Sequence, residues 1–122
     1  LNLARTAIGD AGLVALAPAL RRLPALELLD LSHNPLGDEG LAALVAPPPA
    51  DAPPPQAEAL AKLEWLDLDG SQITDASCTH LVSRLRSGAL PALKVLFLDG
   101  IPAIEAARAA VYEARPDLGG RW

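Results

Sequence analysis

The chain has 122 residues, of which 51% are hydrophobic and only 3% aromatic, and its 15 acidic against 10 basic residues leave a net charge of −5. This length suits one domain or one piece of a repetitive one, and the acidic balance argues against nucleic acid, because phosphate binding needs a surplus of Lys and Arg. A single cysteine excludes an internal disulfide and a Cys-based zinc site, and no apolar run reaches the ~20 residues of a membrane helix.

In chain order, the first element is Leu1-x-Leu3-x-x-Thr6-x-Ile8, followed by Gly9-Asp10-Ala11-Gly12 and a helical spacing of Leu13, Leu16, Leu20 and Leu23. Pro18 falls inside that helix. Its ring clashes with a preceding carbonyl and removes one hydrogen bond, so the sequence predicts a break, with Ala19 to Arg22 as a separate turn. Leu26-x-x-Leu29-x-Leu31-x-x-Asn34-x-Leu36 is the next strand motif, and Gly37-Asp38-Glu39-Gly40 leads into a helix with Leu41 and Leu44.

Half of residues 46–57 are proline, which predicts polyproline II or an unstructured insertion. It lacks the flanking Arg or Lys and the Tyr of a recruitment motif, which favours a tolerated loop over a ligand for SH3 or WW domains. Leu63-x-x-Leu66-x-Leu68-x-x-Ser71-x-Ile73 then opens a third unit, whose helix starts at Asp75 and carries Cys78, Leu81 and Leu85. A fourth unit, Leu93-x-x-Leu96-x-Leu98-x-x-Ile101, has Ile104 one place beyond the expected position and a helix with Ala107 and Val111. Pro116 stops that helix, and residues 119–122 read as a loose tail. Leu3, Leu31, Leu68 and Leu98 are thus spaced by 28, 37 and 30 residues, the longer interval holding the insertion.

Recurring strand–turn–helix units that cannot bury their apolar sides alone must stack. The motif resembles the leucine-rich repeat, of the ribonuclease-inhibitor-like class. The resemblance implies an α/β solenoid curved like a horseshoe, with a parallel sheet on the concave side and helices on the convex side. Residues 1–118 divide into units 1–25, 26–62 (with the 46–57 insertion), 63–92 and 93–118, about three and a half repeats. The chain opens inside a strand motif and without Met, which reads as a segment whose earlier repeats lie outside it, leaving a strand edge and core leucines uncovered. The family usually has Asn or Cys where this chain has Thr6, Asn34, Ser71 and Ile101; Thr and Ser can replace its loop hydrogen bonds only in part and Ile101 not at all, so an irregular turn is expected at Gly100–Pro102.

If Leu29/Leu31, Leu66/Leu68 and Leu96/Leu98 point inward, the alternating residues face outward in three rows. These are Leu28, Trp65 and Val95; Asn2, Asp30, Asp67 and Phe97; and Ala4, Ser32, Asp69 and Asp99, with Arg5, His33, Gly70 and Gly100 at the strand ends. The candidate protein-binding residues are accordingly Leu28, Asp30, Ser32, Trp65, Asp67, Asp69, Val95, Phe97 and Asp99. Trp65 is a candidate anchor, or a cover over Leu28 and Val95. Carboxylates of adjacent strands, Asp30 with Asp67 and Asp69 with Asp99, repel by about 0.8 kcal/mol at ~5 Å in water, a cost that a partner with apolar and basic groups would offset.

Asp10, Asp38 and Asp75 suit helix N-caps, Cys78 a small core residue, and His80 an exposed helix position. Arg21, Arg22, Arg84 and Arg86 sit where helix C-termini favour positive charge. No catalytic constellation, glycine-rich phosphate loop or dedicated metal spacing is present in the sequence, so neither a cofactor nor a metal is expected. The expectation is a non-catalytic, cytoplasmic protein–protein interaction module, binding neither membrane nor nucleic acid. The rivals implied by resemblance are a regulator of the Ran GTPase-activating type and the sensor repeats of a NOD-like receptor.

Overall fold

A computed structural model describes residues 1–23, 25–45 and 60–119. The sequence-based readings of the proline-rich stretch and of Trp122 lie outside those residues. The elements alternate: α1 (Asp10–Arg21), β1 (Leu28–Asp30), α2 (Asp38–Val45), β2 (Trp65–Asp67), α3 (Asp75–Arg86), β3 (Val95–Phe97) and α4 (Glu105–Ala114). The three strands form one parallel sheet in the order β1-β2-β3. The register pairs Leu28 with Trp65 and Val95, Leu29 with Leu66 and Leu96, and Asp30 with Asp67 and Phe97. The residues about Leu1–Leu3 continue the sheet as an isolated parallel bridge between Asn2 and Asp30.

Alternation along each strand decides what is buried. Leu29, Leu31, Leu66, Leu68, Leu96 and Leu98 are all within 2% of full burial. They share one core with Leu13, Leu41, Leu44, Leu81 and Val111 from the helices. Each fully buried leucine contributes about 1.5–3 kcal/mol.

Equivalent positions recur across the repeats with local departures. Asn34 is buried and joins two units: its Oδ1 accepts from the amides of Thr6 and Ile8 at 3.0 Å each, and its Nδ2 donates to the carbonyls of Leu3, Leu31 and Ser32. Thr6 and Ser71 each make the local bond, from Oγ to the carbonyls of Leu3 and Leu68, and the Thr6 hydroxyl also donates to Asn34 Oδ1 at 3.4 Å. Ile101 is buried as an apolar filler instead, and Ala103 occupies the core place held by Leu36 and Ile73. Ile104 is therefore left exposed, one residue beyond it.

Several expectations need correction. Helix α1 runs unbroken through Pro18. Pro18 and Val14 lie one turn apart on the exposed side of α1, so the Val14 carbonyl that loses its donor faces water. Gly119, expected in a loose tail, pairs with the edge of β3: the Leu96 amide donates to its carbonyl at 3.1 Å, and its amide donates to the Lys94 carbonyl at 2.8 Å. The buried Tyr112 hydroxyl adds a bond to the Leu96 carbonyl.

The helix-start aspartates also act differently from local caps. They are the first helical residues and do not cap their own helices. Each reaches one unit forward. Asp10 Oδ1 accepts from the amides of Gly37 and Gly40 at 2.7 Å each, Asp38 Oδ1 from the Thr74 amide at 2.9 Å and Ser77 Oγ at 2.6 Å, and Asp75 Oδ1 from the Ile104 amide at 2.8 Å. A helix N-terminus offers free N–H groups and a positive dipole end to just such a carboxylate. The close approach explains Gly40, where a Cβ would stand 2.9 Å from Asp10 Oδ1.

The candidate functional site on the sheet face

The outward face of the sheet follows from the same register. Leu28, Trp65 and Val95 stand side by side in one row, and Asp30, Asp67 and Phe97 in the next. Asp69 and Asp99 continue the face at the strand ends, where Asp99 is exposed and Asp69 half-buried. Leu28 is 42% exposed, whereas Trp65, Val95 and Phe97 are half-buried. Trp65 meets Phe97 edge to face, with centroids 5.3 Å apart and planes at 68°. This diagonal contact across neighbouring strands is a favourable aromatic geometry, and it involves Phe97 rather than only the expected Leu28 and Val95.

Most of the acidic residues have structural partners as well. Asn2, Asp30 and Asp67 each accept, through Oδ1, the amide two residues on: Ala4 at 2.9 Å, Ser32 at 3.0 Å and Asp69 at 2.9 Å. Phe97 has no acceptor to offer at that position, and Asp69 supplies it from the neighbouring unit by accepting from the Asp99 amide at 2.6 Å. These Asx-type bonds turn the chain off each strand. Ser32 is buried, its hydroxyl donating to Asp30 Oδ1 at 2.6 Å, so it braces Asp30 and presents little surface of its own.

The strand ends share a left-handed residue at Arg5, His33, Gly70 and Gly100, with φ between 55° and 69°. At Gly70 the His33 ring lies so close that a Cβ would sit 2.5 Å from Nδ1. His33 is therefore next to the carboxylates. Asp67 is held above the usual carboxylate range by burial, and then by the charges of Asp69 and Asp30, against the Asp69 amide and His33, which favour ionisation. Asp69 is raised for the same kinds of reason: burial first, then Asp99 and Asp30, against the Asp99 amide and His33. Arg108 of α4 approaches Asp99 at 3.8 Å. The face thus joins an apolar and aromatic strip to a row of carboxylates, of which Asp67 and Asp69 are raised by burial and by their neighbours' charges.

Other candidate residues are structural. Cys78 is buried, and burial, followed by the charges of Asp75 and Asp38, pushes its thiol up to about 11. His80 is half-buried rather than exposed, and its Nε2 is buried without a hydrogen-bond partner. Arg21 Nη1 donates to the Leu44 carbonyl at 3.0 Å, and Arg84 Nε donates to the Val45 carbonyl at 2.9 Å. Both guanidiniums thus serve the C-terminus of the neighbouring α2 rather than their own helices. Among the described residues no group of three or more His, Cys, Asp or Glu side chains is arranged to hold a metal, and no helix is long and apolar enough to cross a membrane.

A family profile described as "Leucine Rich repeat" matches residues 1–17 and 23–45. The chain is 42% identical over 99 residues to the Tonsoku-like protein of Mus musculus, a stretch covering 81% of this chain and 7% of that relative. It is 42% identical over 87 residues to the ribonuclease inhibitor of Sus scrofa, covering 71% of this chain and 17% of that relative. The matched region is therefore a small part of both relatives.

Proposed function

We propose, from the premise that this chain belongs to the leucine-rich repeat family and its ribonuclease-inhibitor-like class, that it is a non-catalytic module whose sheet face, on the concave side of a curved solenoid, binds another protein. The observation that carries this reading is the Trp65–Phe97 pair beside the raised carboxylates of Asp67 and Asp69. Apolar anchors provide burial at the centre of an interface. A partner's Arg or Lys would relieve the repulsion among Asp30, Asp67, Asp69 and Asp99 while gaining charge-assisted hydrogen bonds. One relative is named for inhibiting a ribonuclease, which supports action through contact with another macromolecule. A cytoplasmic setting fits a single buried thiol.

The test follows the fluorescence anisotropy of a dye-labelled peptide that combines leucine or aromatic residues with arginine, as the chain is titrated into it. Binding is expected to weaken at least 10-fold in Trp65→Ala and in Asp67→Asn, and to weaken with added salt. Peptide binding that is indifferent to both substitutions would remove this face from the function. Stimulation of a Ran-type GTPase by the chain, in a turnover assay, would favour the regulatory rival instead.

A further inference from the structure

The fold sets His33 against the acidic side of the sheet face. The residue follows β1 in the left-handed region, at φ 55°, and its amide donates to the Asp69 carbonyl at 2.7 Å. Its side chain leans across to the next unit. There the ring takes the space above Gly70, where a Cβ would stand 2.5 Å from Nδ1 and 3.0 Å from Cε1. Only a residue without a side chain leaves that room, so the placement of the ring depends on both strand ends. His33 is exposed, and its ring exchanges protons with the solvent.

The charged groups near this ring are mainly acidic. Asp67 and Asp69 are close enough that the His33 charge favours ionisation of both. Asp30, on β1 itself, acts on the same two carboxylates, and Asp99, after β3, acts on Asp69. Two cations complete the set. Arg5 closes the strand end before His33, its amide donating to the Ser32 carbonyl at 3.0 Å, and Arg108 of α4 stands 3.8 Å from Asp99. An imidazolium in this position is drawn to the carboxylates that a partner's cation would also use. Two cations that share one pair of carboxylates weaken each other, and each does so by the same factor.

We propose that His33 is a proton-operated competitor for the partner's arginine: the neutral imidazole leaves Asp67 and Asp69 to the partner, and the imidazolium takes them in its place. This rests on the sheet-face reading above and adds its regulation. An imidazole ordinarily changes charge near pH ~6.5, whereas arginine stays charged throughout, so the switch belongs to this chain and not to the partner. Binding is tighter at neutral pH and weakens on mild acidification. The competition is confined to the acidic side. Trp65 and Phe97 carry no charge and hold the partner's apolar residue at either pH. The carboxylates themselves take up protons as the pH falls further, which acts in the same direction, so a variant without the imidazole is needed to separate the two.

The test uses a rhodamine-labelled, C-terminally amidated peptide of leucine, phenylalanine and arginine, without His, Asp or Glu, titrated by anisotropy at pH 7 and pH 5.5 in low salt. Affinity is expected to fall about 3-fold between the two, from a coupling of ~5-fold between partner and proton. His33→Asn, which puts a neutral residue tolerant of positive φ in that place, should lose most of the fall. A second measurement needs no variant. By the same coupling, saturating peptide should move the NMR titration midpoint of the His33 ring to lower pH by about 0.7, while that of His80 on α3, the other histidine of the chain, stays where it was. Trp65-dependent binding that keeps its acid loss in His33→Asn, or a His33 midpoint indifferent to peptide, overturns the switch and leaves the face standing, the loss then belonging to Asp67 and Asp69. Peptide binding indifferent to Trp65→Ala overturns the face itself and the switch with it.

Discussion

Asn34 uses both ends of its amide in the interior, accepting two backbone amides and donating to three backbone carbonyls of two units. Its loss strands several buried groups, each costing about 1–3 kcal/mol. Asn34→Ala is expected to destabilise the fold by about 3 kcal/mol in urea unfolding, with faster exchange at Thr6 and Ile8. The carboxylates give opposing pH effects. Asp67 and Asp69 have raised pKa values when folded, so their ionisation penalises the fold; the penalty is absent below the unfolded value near ~4 and grows as pH rises through the folded values. Asp38 goes the other way. Although partial burial pushes it up, hydrogen bonds from Ser77 and Thr74 leave it lowered, so its stabilisation is present above ~4 and lost as pH falls through the folded value. All three are largely solvated, which keeps each effect small. Asp67→Asn keeps the Oδ1 acceptor for Asp69 and removes the charge. It should raise stability at pH 7 by under about 1 kcal/mol and flatten the decline between pH 4 and 7, measured by urea melts across that range.

At the scale of elements, α1 tolerates Pro18 because the unbonded carbonyl lies on the wet side. Pro18→Ala restores one helical bond and should stabilise by about 1 kcal/mol or more, read as a rise in the urea midpoint. The helix-start aspartates tie one unit to the next, so Asp38→Ala is expected to cost about 1–2 kcal/mol and to loosen the first turn of α3 rather than of α2, a difference that amide exchange resolves. Helix starts were legible in the sequence, since Gly37-Asp38 and Thr74-Asp75 mark them plainly. The target of each carboxylate was not, because a capping residue and a residue reaching across a junction have the same letter and the same position. The burial of Ser32 was hidden on similar grounds: strand parity places it outward, but it is buried and its hydroxyl donates to Asp30.

For the molecule as a whole, leucine spacing was enough to fix strand direction, register and the inward side, because a slip of one residue would turn every core leucine to solvent. Leu66→Ala, at the centre of the core, should therefore cost about 2–5 kcal/mol. The Trp65, Asp67 and Val95 neighbours on the sheet face followed from that register. The edge contact between Trp65 and Phe97 and the closure by Gly119 did not, since they depend on rotamers and on where the chain returns after α4. The guanidiniums of Arg21 and Arg84 have one more consequence. They donate to the Leu44 and Val45 carbonyls at the end of α2 from either side. Arg21 and Arg84 therefore lash three consecutive helices together at one end, and Arg21→Met or Arg84→Met should fray α2 from that end, which amide exchange at Leu44 and Val45 would register.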